Sequence, residues 1–112
     1  MTPLSEQEFR VKSVEALEDA RRALSAFADE AGFEIELQNG VMNLEFEEPS
    51  DAKFVVSPNA PVRQIWVSAN SKSYKLDWDV VENAFVHYES GDSLKVLVEK
   101  AISKQMGEEV NL

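Results

Sequence analysis

Hydrophobic residues recur at spacings of three and four near the start of the chain, which is the period of an amphipathic helix. The predicted buried stripe comprises Val14, Leu17, Ala20, Leu24, Phe27, Ala28 and Ala31. Ser5 and Glu8 have the S-x-x-E spacing of a capping box. Gly32 is placed to end the helix, because glycine readily adopts the left-handed conformation of a helix C-terminus. The pattern therefore predicts one long helix over residues 5–31.

From position 33 the pattern changes to an alternation of apolar and polar residues, which is typical of strands with one buried face. Asn39-Gly40 predicts a hairpin with a type I′ turn, because both central positions of that turn need a positive φ. A further turn is expected at Pro49-Ser50-Asp51. Pro58 and Pro61 are expected to interrupt strand pairing and to form a short connection. Strands are predicted at residues 33–37, 42–46, 53–56, 59–69, 73–78 and 83–88.

A second helical pattern follows Gly91, with Asp92 as the expected N-cap and Gly107 as the expected stop. Its predicted buried residues are Leu94, Leu97, Val98, Ala101 and Ile102. Residues 108–112 are expected either to cover the groove between the helices or to fray. Strands joined by short turns form an antiparallel meander. We predict a single α+β domain over residues 1–112, a two-layer sandwich with an antiparallel sheet of about six strands flanked on one face by the N- and C-terminal helices.

The fourth predicted strand carries a tryptophan on the side that alternation assigns to solvent. Ile65 and Val67 point one way in a strand, whereas Gln64 and Trp66 point the other. Two explanations are open. A tryptophan is most often buried with its N–H satisfied, but an aromatic residue on a polar face is also a common anchor for a protein partner.

Composition narrows the class of protein. The chain has 21 acidic and 11 basic residues, a net charge of −10, and no cysteine. A nucleic-acid partner is disfavoured because such proteins usually show a basic footprint. Cysteine-based catalysis, disulfides and cysteine-ligated metal centres are excluded. No signal peptide or membrane span is recognisable, so we expect a cytoplasmic protein that binds no membrane. The charge fits a basic protein partner or a hard cation, or merely solubility.

Acidic residues lie away from the apolar stripe of the first helix and along one face of the first strand. In the helix they are Glu8, Glu15, Glu18, Asp19, Asp29 and Glu30, and in the strand they are Glu34 and Glu36. Carboxylates bind hard cations and also Fe²⁺, but weakly where they do not converge. Glu8–Lys12 and Glu18–Arg22 are also spaced as ion pairs, with Glu18–Arg21 as an alternative. A cation site and a solvated face are both compatible with this pattern.

Catalytic motifs are missing from the sequence. It has no nucleophile elbow and no glycine-rich phosphate loop. The single histidine, His87, is expected to be structural or solvated. The acidic pair around Trp78, Asp77 and Asp79, is expected to form a turn. The residues alone therefore do not favour an enzyme.

Several short motifs occur in an order that covers nearly the whole chain. They are Ser5-Glu6 with Glu8-Phe9, Asn39-Gly40-Val41, Pro61 with Arg63-Gln64-Ile65-Trp66, Leu76-Asp77-Trp78, Gly91 with Ser93-Leu94, and residues 104–110. Together they resemble the frataxin family, including its bacterial CyaY type. The most specific of them is Gln64-Ile65-Trp66.

The resemblance implies an iron–sulfur cluster assembly factor that binds the complex of cysteine desulfurase and scaffold protein and modulates sulfur transfer. It implies weak, labile binding of Fe²⁺ or Fe³⁺, no tightly bound cofactor, and a monomer capable of iron-dependent oligomerisation. The alternative is an iron chaperone or weak ferroxidase that handles ferrous iron directly. The implied iron-binding residues are Glu15, Glu18, Asp19, Asp29, Glu30, Glu34 and Glu36. The implied partner-binding residues are Ser57, Asn59, Arg63, Gln64 and Trp66. A mature mitochondrial protein would look the same as a bacterial one.

The sequence departs from the family pattern at two places. Arg21-Arg22 stand where frataxins typically have a dense acidic cluster. Ser57-Pro58-Asn59 stand where the family often has Asn, a basic residue and Gln before the proline. The first departure puts the ligands of an iron site in doubt, and the second does the same for the partner contacts of that loop.

Overall fold

The computed structural model describes residues 4–47 and 51–107, so the tail at 108–112 and Pro49-Ser50 of the predicted turn lie outside it. Helix α1 spans Glu6–Ala31 and helix α2 spans Leu94–Met106. The strands are β1 (Glu34–Gln38), β2 (Val41–Phe46), β3 (Ala52–Asn59), β4 (Gln64–Ala69), β5 (Lys72–Asp79), β6 (Ala84–His87) and β7 (Asp92–Ser93). A 3-10 turn at Ala60–Val62 joins β3 to β4.

Helix α1 begins and ends where the sequence predicts. The Ser5 hydroxyl accepts a hydrogen bond from the backbone N–H of Glu8, and the Glu8 carboxylate accepts one from the backbone N–H of Ser5, both at 3.1 Å. This capping box satisfies donors that the first turn leaves unpaired. At the other end Gly32 has φ +82° and donates to the carbonyl of Ala28 at 2.8 Å.

The buried face of α1 differs from the prediction at its N-terminal end. Val14 is 55% exposed, whereas Ser13 is buried. Val14 is three residues before Leu17, which is a spacing that the predicted stripe allows. The residues that are buried, however, are Phe9, Ser13 and Leu17, each four residues after the one before. The hydroxyl of Ser13 is satisfied because it donates to the carbonyl of Arg10 at 3.1 Å.

All strands pair antiparallel with their sequence neighbours, in the order β1-β2-β3-β4-β5-β6-β7. The sheet thus has seven strands rather than about six. The additional strand, β7, is only the dipeptide Asp92–Ser93 paired with β6, and two residues are too few to show a period. The turn between β1 and β2 has φ +54° at Asn39 and +77° at Gly40, which confirms the predicted type I′ conformation.

Pro58 does not interrupt pairing, which corrects the sequence prediction. It lies inside β3, opposite Ile65 of β4. The pairing of β2 with β3 ends at Met42 and Val56, so Pro58 lies beyond β2 and has a neighbouring strand on one side only. Proline is tolerated there because an edge position does not need the missing N–H.

The N-cap of α2 is Ser93 and not Asp92 as predicted. The Ser93 hydroxyl accepts a hydrogen bond from the N–H of Val96 at 3.4 Å. Asp92 instead pairs with His87 in the sheet, and its carboxylate accepts from the Lys100 ammonium at 3.0 Å. Serine and aspartate cap equally well, and Ser93 is the cap because β7 includes both residues and α2 begins directly after it, at Leu94.

The core lies between the helices and one face of the sheet. It contains the inward residues of both helices together with Met42, Leu44, Phe54, Val56, Ile65, Val67, Leu76 and Phe85. Both helices pack on this face, as predicted, and the opposite face carries no helix in the described part of the chain. Among the same residues no helix is long and apolar enough to cross a bilayer.

Candidate functional site

Trp66 lies on the sheet face that the helices leave uncovered, near the middle of the sheet. Its neighbours along β4, Ile65 and Val67, are 0% and 2% exposed, whereas Trp66 is 38% exposed. In the register of the sheet Trp66 lies between Ser57 of β3 and Lys75 of β5. The alternation in the sequence therefore assigns this side chain to the correct face.

The indole of Trp66 is held by a chain of hydrogen bonds. Its Nε1–H donates to the Gln64 Oε1 at 2.9 Å, and the Gln64 Nε2 donates to the Asp77 Oδ1 at 3.2 Å. The Lys75 ammonium lies 5.0 Å from the centroid of the indole ring, within the range of a cation–π interaction. We call Gln64, Trp66, Lys75 and Asp77 the Trp66 face.

A shallow cleft of about 370 Å³ lies beside the Trp66 face. Its lining includes the apolar side chains of Trp66 and Val55 and the serines Ser57, Ser68 and Ser73. Apolar and polar groups side by side are the usual composition of a protein–protein contact. The cleft offers room for a side chain of a partner.

The other predicted partner-binding residues have different surroundings. Ser57 is paired with Trp66, and Asn59 is paired with Gln64, so both adjoin the Trp66 face. Arg63 instead donates to the backbone carbonyls of Leu4 at 3.2 Å and of Ala60, which ties the start of α1 to the 3-10 turn.

Sequence reasoning missed one member of the Trp66 face, Asp77. The sequence predicts a turn around Asp77, but this residue lies within β5 directly opposite Gln64. The signal that identifies it is the register between β4 and β5. A hairpin turn at Asn70-Ser71, both with a positive φ, sets that register.

The acids of α1 face two directions. Glu15 and Asp19 line a groove of about 450 Å³ that runs between α1 and α2, together with Lys12 and Lys95. Asp29 lines a separate hollow at the edge strand β1. Each residue of a helix is rotated by about 100° from the one before it, so acids at these positions of α1 point to different sides of the helix. The predicted acidic face is therefore divided.

Ion pairs partly neutralise the helix. Glu18 pairs with Arg21 at 3.1 Å, the alternative that the spacing allowed, and Arg22 pairs with Asp19 at 3.2 Å. Two other predicted ion pairs, Glu18–Arg22 and Glu8–Lys12, do not form salt bridges. Glu8 instead bonds with Ser5, and hydrogen bonding to Ser5 lowers the pKa of the Glu8 carboxyl. The Lys12 ammonium lies 5.3 Å from the centroid of the Trp78 ring.

The acids at the β1 edge form the second acidic area. Asp29, Glu34, Glu36 and Glu45 line a hollow of about 420 Å³, which we call the β1-edge hollow. Glu30 is exposed on α1 and lines neither hollow nor groove. Within residues 4–47 and 51–107, no three histidine or acidic side chains are arranged to hold a metal ion. Such exposed, separated carboxylates are suited only to loose, water-rich coordination.

The turn after β5 is fixed by one carboxylate. Asp79 accepts hydrogen bonds from the N–H groups of Val81 and Glu82 at 2.9 and 3.0 Å, and from the Tyr88 hydroxyl at 2.9 Å. The N–H of Glu82 and the Tyr88 hydroxyl lower the pKa of Asp79, and the same bond to Asp79 raises the pKa of Tyr88. His87 has its Nδ1 2.7 Å from the Ser90 hydroxyl.

Fold and site together define a class of protein: a two-layer α+β sandwich with a helix-free sheet face that bears a partly exposed, hydrogen-bonded tryptophan. A family model described as a frataxin-like domain matches residues 2–108. The chain therefore belongs to the frataxin family, as its motifs indicate.

Its relatives are bacterial proteins of the CyaY type. The chain is 35% identical over 107 residues to the iron–sulfur cluster assembly protein CyaY of Cupriavidus pinatubonensis, covering 94% of this chain and 93% of that protein. It is 33% identical over 109 residues to the protein of the same name from Cupriavidus metallidurans, covering 96% and 95%. A solved frataxin from Psychromonas ingrahamii has the same fold, with a TM-score of 0.70, 22% identity and coverage of 96% and 97%.

Proposed function

We propose that this protein is an iron–sulfur cluster assembly factor of the bacterial cytoplasm. It binds the complex of cysteine desulfurase and scaffold protein and modulates sulfur transfer. The names of its relatives support the pathway. The observation that carries the binding mode is Trp66, a tryptophan held outward on a helix-free sheet face with its N–H already satisfied.

The Trp66 face has the physical character of a docking anchor. Trp is among the residues that most often dominate binding energy at interfaces. The hydrogen bond to Gln64 and the cation–π contact with Lys75 restrict the indole before a partner arrives. Less conformational entropy is then lost on binding.

The acidic surface supplies attraction at longer range. With a net charge of −10, the protein is steered toward a basic surface of the desulfurase and associates faster at low salt. This contribution is screened over about 10 Å at 0.1 M salt. The Trp66 contact is short-range and is not screened in this way.

The test is a binding measurement with the purified cysteine desulfurase–scaffold complex, using wild type and Trp66→Ala at low and high salt. Loss of an anchor of about 2 kcal/mol weakens binding roughly 30-fold. Val81→Ala is the matched control, since Val81 is 86% exposed but lies on the β5–β6 turn. Equal affinities for wild type and Trp66→Ala would exclude docking through the Trp66 face.

Direct handling of ferrous iron is a second candidate function, and the β1-edge hollow is the observation in its favour. Four carboxylates line it, and hard oxygen ligands accept Fe²⁺. We propose weak, labile iron binding at this hollow. Titration with Fe²⁺ should broaden the NMR signals of Glu34, Glu36 and Asp29 first. Broadening spread evenly over all acids would indicate a non-specific counter-ion atmosphere instead.

A further inference from the structure

We propose that Asp77 is a positioning residue, which fixes the side-chain amide of Gln64 and thereby the orientation of the Trp66 indole. The inference deepens the proposed function, because it rests on Trp66 as the docking anchor. It assigns to Asp77 a role in partner binding without requiring that Asp77 touch the partner.

The register of the sheet brings the residues together. Gln64 of β4 is paired directly with Asp77 of β5, and Trp66 is paired with Lys75. The Gln64 Nε2 lies 3.2 Å from the Asp77 Oδ1, and the Trp66 Nε1 lies 2.9 Å from the Gln64 Oε1. The β5 strand therefore supplies Lys75 at the ring face of the indole and Asp77, which holds the Gln64 amide that accepts from the indole N–H.

The chemistry of the groups allows one arrangement only. An ionised carboxylate can only accept hydrogen bonds, and an indole N–H can only donate. The Gln64 amide must therefore turn its NH₂ toward Asp77 and its oxygen toward Trp66. Reversing the amide would set oxygen against the Asp77 carboxylate and N–H against the indole N–H. Asp77 thus determines that an acceptor faces Trp66.

Removing the acceptor should release the chain of hydrogen bonds. In Asp77→Ala the Gln64 amide is free to rotate, and the indole N–H of Trp66 loses its fixed partner. We expect the NMR signal of that N–H to shift and its exchange with solvent to quicken. Affinity for the cysteine desulfurase–scaffold complex should fall about 2- to 10-fold, as for one hydrogen bond. Asp77→Asn retains an acceptor oxygen and should restore both.

Exchanging donor and acceptor gives a stricter test. Gln64→Glu alone places two carboxylates opposite each other and should disturb the indole signal and weaken binding. Adding Asp77→Asn provides an amide that donates to the carboxylate at position 64, whose oxygen accepts from Trp66. The double variant should regain the indole signal and the affinity. Recovery in the double variant would also show that Gln64→Glu weakens binding because it loses the hydrogen bond and not because it fails to fold.

Two controls accompany these variants. The indole signal of Trp78 is an internal reference that should stay constant, and Val81→Ala, on the β5–β6 turn away from the Trp66 face, should change neither readout. An unchanged Trp66 signal in Asp77→Ala, or a double variant no better than Gln64→Glu, would overturn the positioning role. If wild type does not bind the complex, the docking function fails, while the indole signals of the same variants still decide how Trp66 is oriented.

Discussion

Trp66 and Ile65 are adjacent residues with opposite environments. Ile65 is 0% exposed and belongs to the core, whereas Trp66 is 38% exposed and lies on the helix-free face. The larger side chain therefore contributes less buried area to folding than its size would indicate. Under the proposed function, stability depends on Ile65 and partner binding on Trp66, so each property can be changed separately.

We predict that Ile65→Ala and Trp66→Ala separate these two roles. Ile65→Ala should lower the free energy of unfolding by about 2–5 kcal/mol, because it leaves a cavity in the core. Trp66→Ala should lower it by much less, since part of the indole is already in water. Urea denaturation of both variants measures the difference. Equal losses would mean that Trp66 is a core residue in solution.

The bond between Tyr88 and Asp79 predicts a dependence of stability on high pH. This bond raises the pKa of Tyr88 above its ordinary value of 10.0. The contribution of Tyr88 to the free energy of unfolding is therefore complete below pH 10 and is lost as pH rises through the folded-state pKa. The difference in unfolding free energy between wild type and Tyr88→Phe should shrink above pH 10. A difference independent of pH would show that the hydroxyl does not donate to Asp79.

For Asp79 the stability depends on pH in the opposite direction, at low pH. The pKa of Asp79 is lowered by hydrogen bonds from the Glu82 N–H and the Tyr88 hydroxyl. Its contribution to the free energy of unfolding is therefore complete above its ordinary pKa of 3.8 and is lost as pH falls through the folded-state pKa. Asp79→Ala should therefore lose stability at pH 7 and approach wild type in strong acid. Denaturation curves at several pH values measure this.

At the scale of elements, α1 shows what periodicity can and cannot specify. Its caps are predictable because Ser5, Glu8 and Gly32 have characteristic spacing and chemistry. Its exact buried line is not, because Ser13 and Val14 lie 100° apart and the more apolar of the two is the exposed one. Tertiary packing decides between them, and the sequence of one helix does not contain that information.

We predict that Ser13→Ala leaves stability unchanged or raises it by roughly 0.5 kcal/mol. Alanine has the higher helix propensity, and the hydroxyl of Ser13 donates to a carbonyl of its own helix, that of Arg10. Thermal unfolding of the variant measures the effect, with Val14→Ala as the exposed control. A large loss of stability would indicate that the hydroxyl of Ser13 has a partner outside α1.

The candidate site was predictable to the extent that it follows from alternation. Alternation along β4 places Gln64 and Trp66 on one face, and the motifs identify the family. The bond from Gln64 to Asp77 was not predictable, because it depends on which residues of two strands are opposite each other. The division of the α1 acids was missed for the same reason, since it depends on where α2 and β1 lie.

At the scale of the whole molecule, charge is unbalanced, and some of the acids line two separate areas, the groove between the helices and the β1-edge hollow. Like charges at this density repel one another in the compact state. The ion pairs of Arg21 and Arg22 reduce this repulsion on α1. At the β1-edge hollow Lys53 lies 4.0 Å from Glu45, and the charged residues that line the hollow are all acids.

We predict that moderate salt stabilises the protein. Screening of the repulsion by 0.3 M NaCl should raise Tm, and a gain of about 1 kcal/mol corresponds to roughly 4 °C. The variant Glu34→Gln with Glu36→Gln should be more stable than wild type at low salt and should gain less from NaCl. A Tm that falls with salt would show that attractive ion pairs dominate instead.

The meander order of the strands has a consequence for the route of folding. Every strand pairs with its sequence neighbour, so each hairpin closes a short loop at little entropic cost. The two helices are the end segments of the described chain and share one sheet face. We expect the hairpins to form first and helix docking to complete the transition. Gly40→Ala should then slow refolding, whereas Ala101→Gly should mainly speed unfolding.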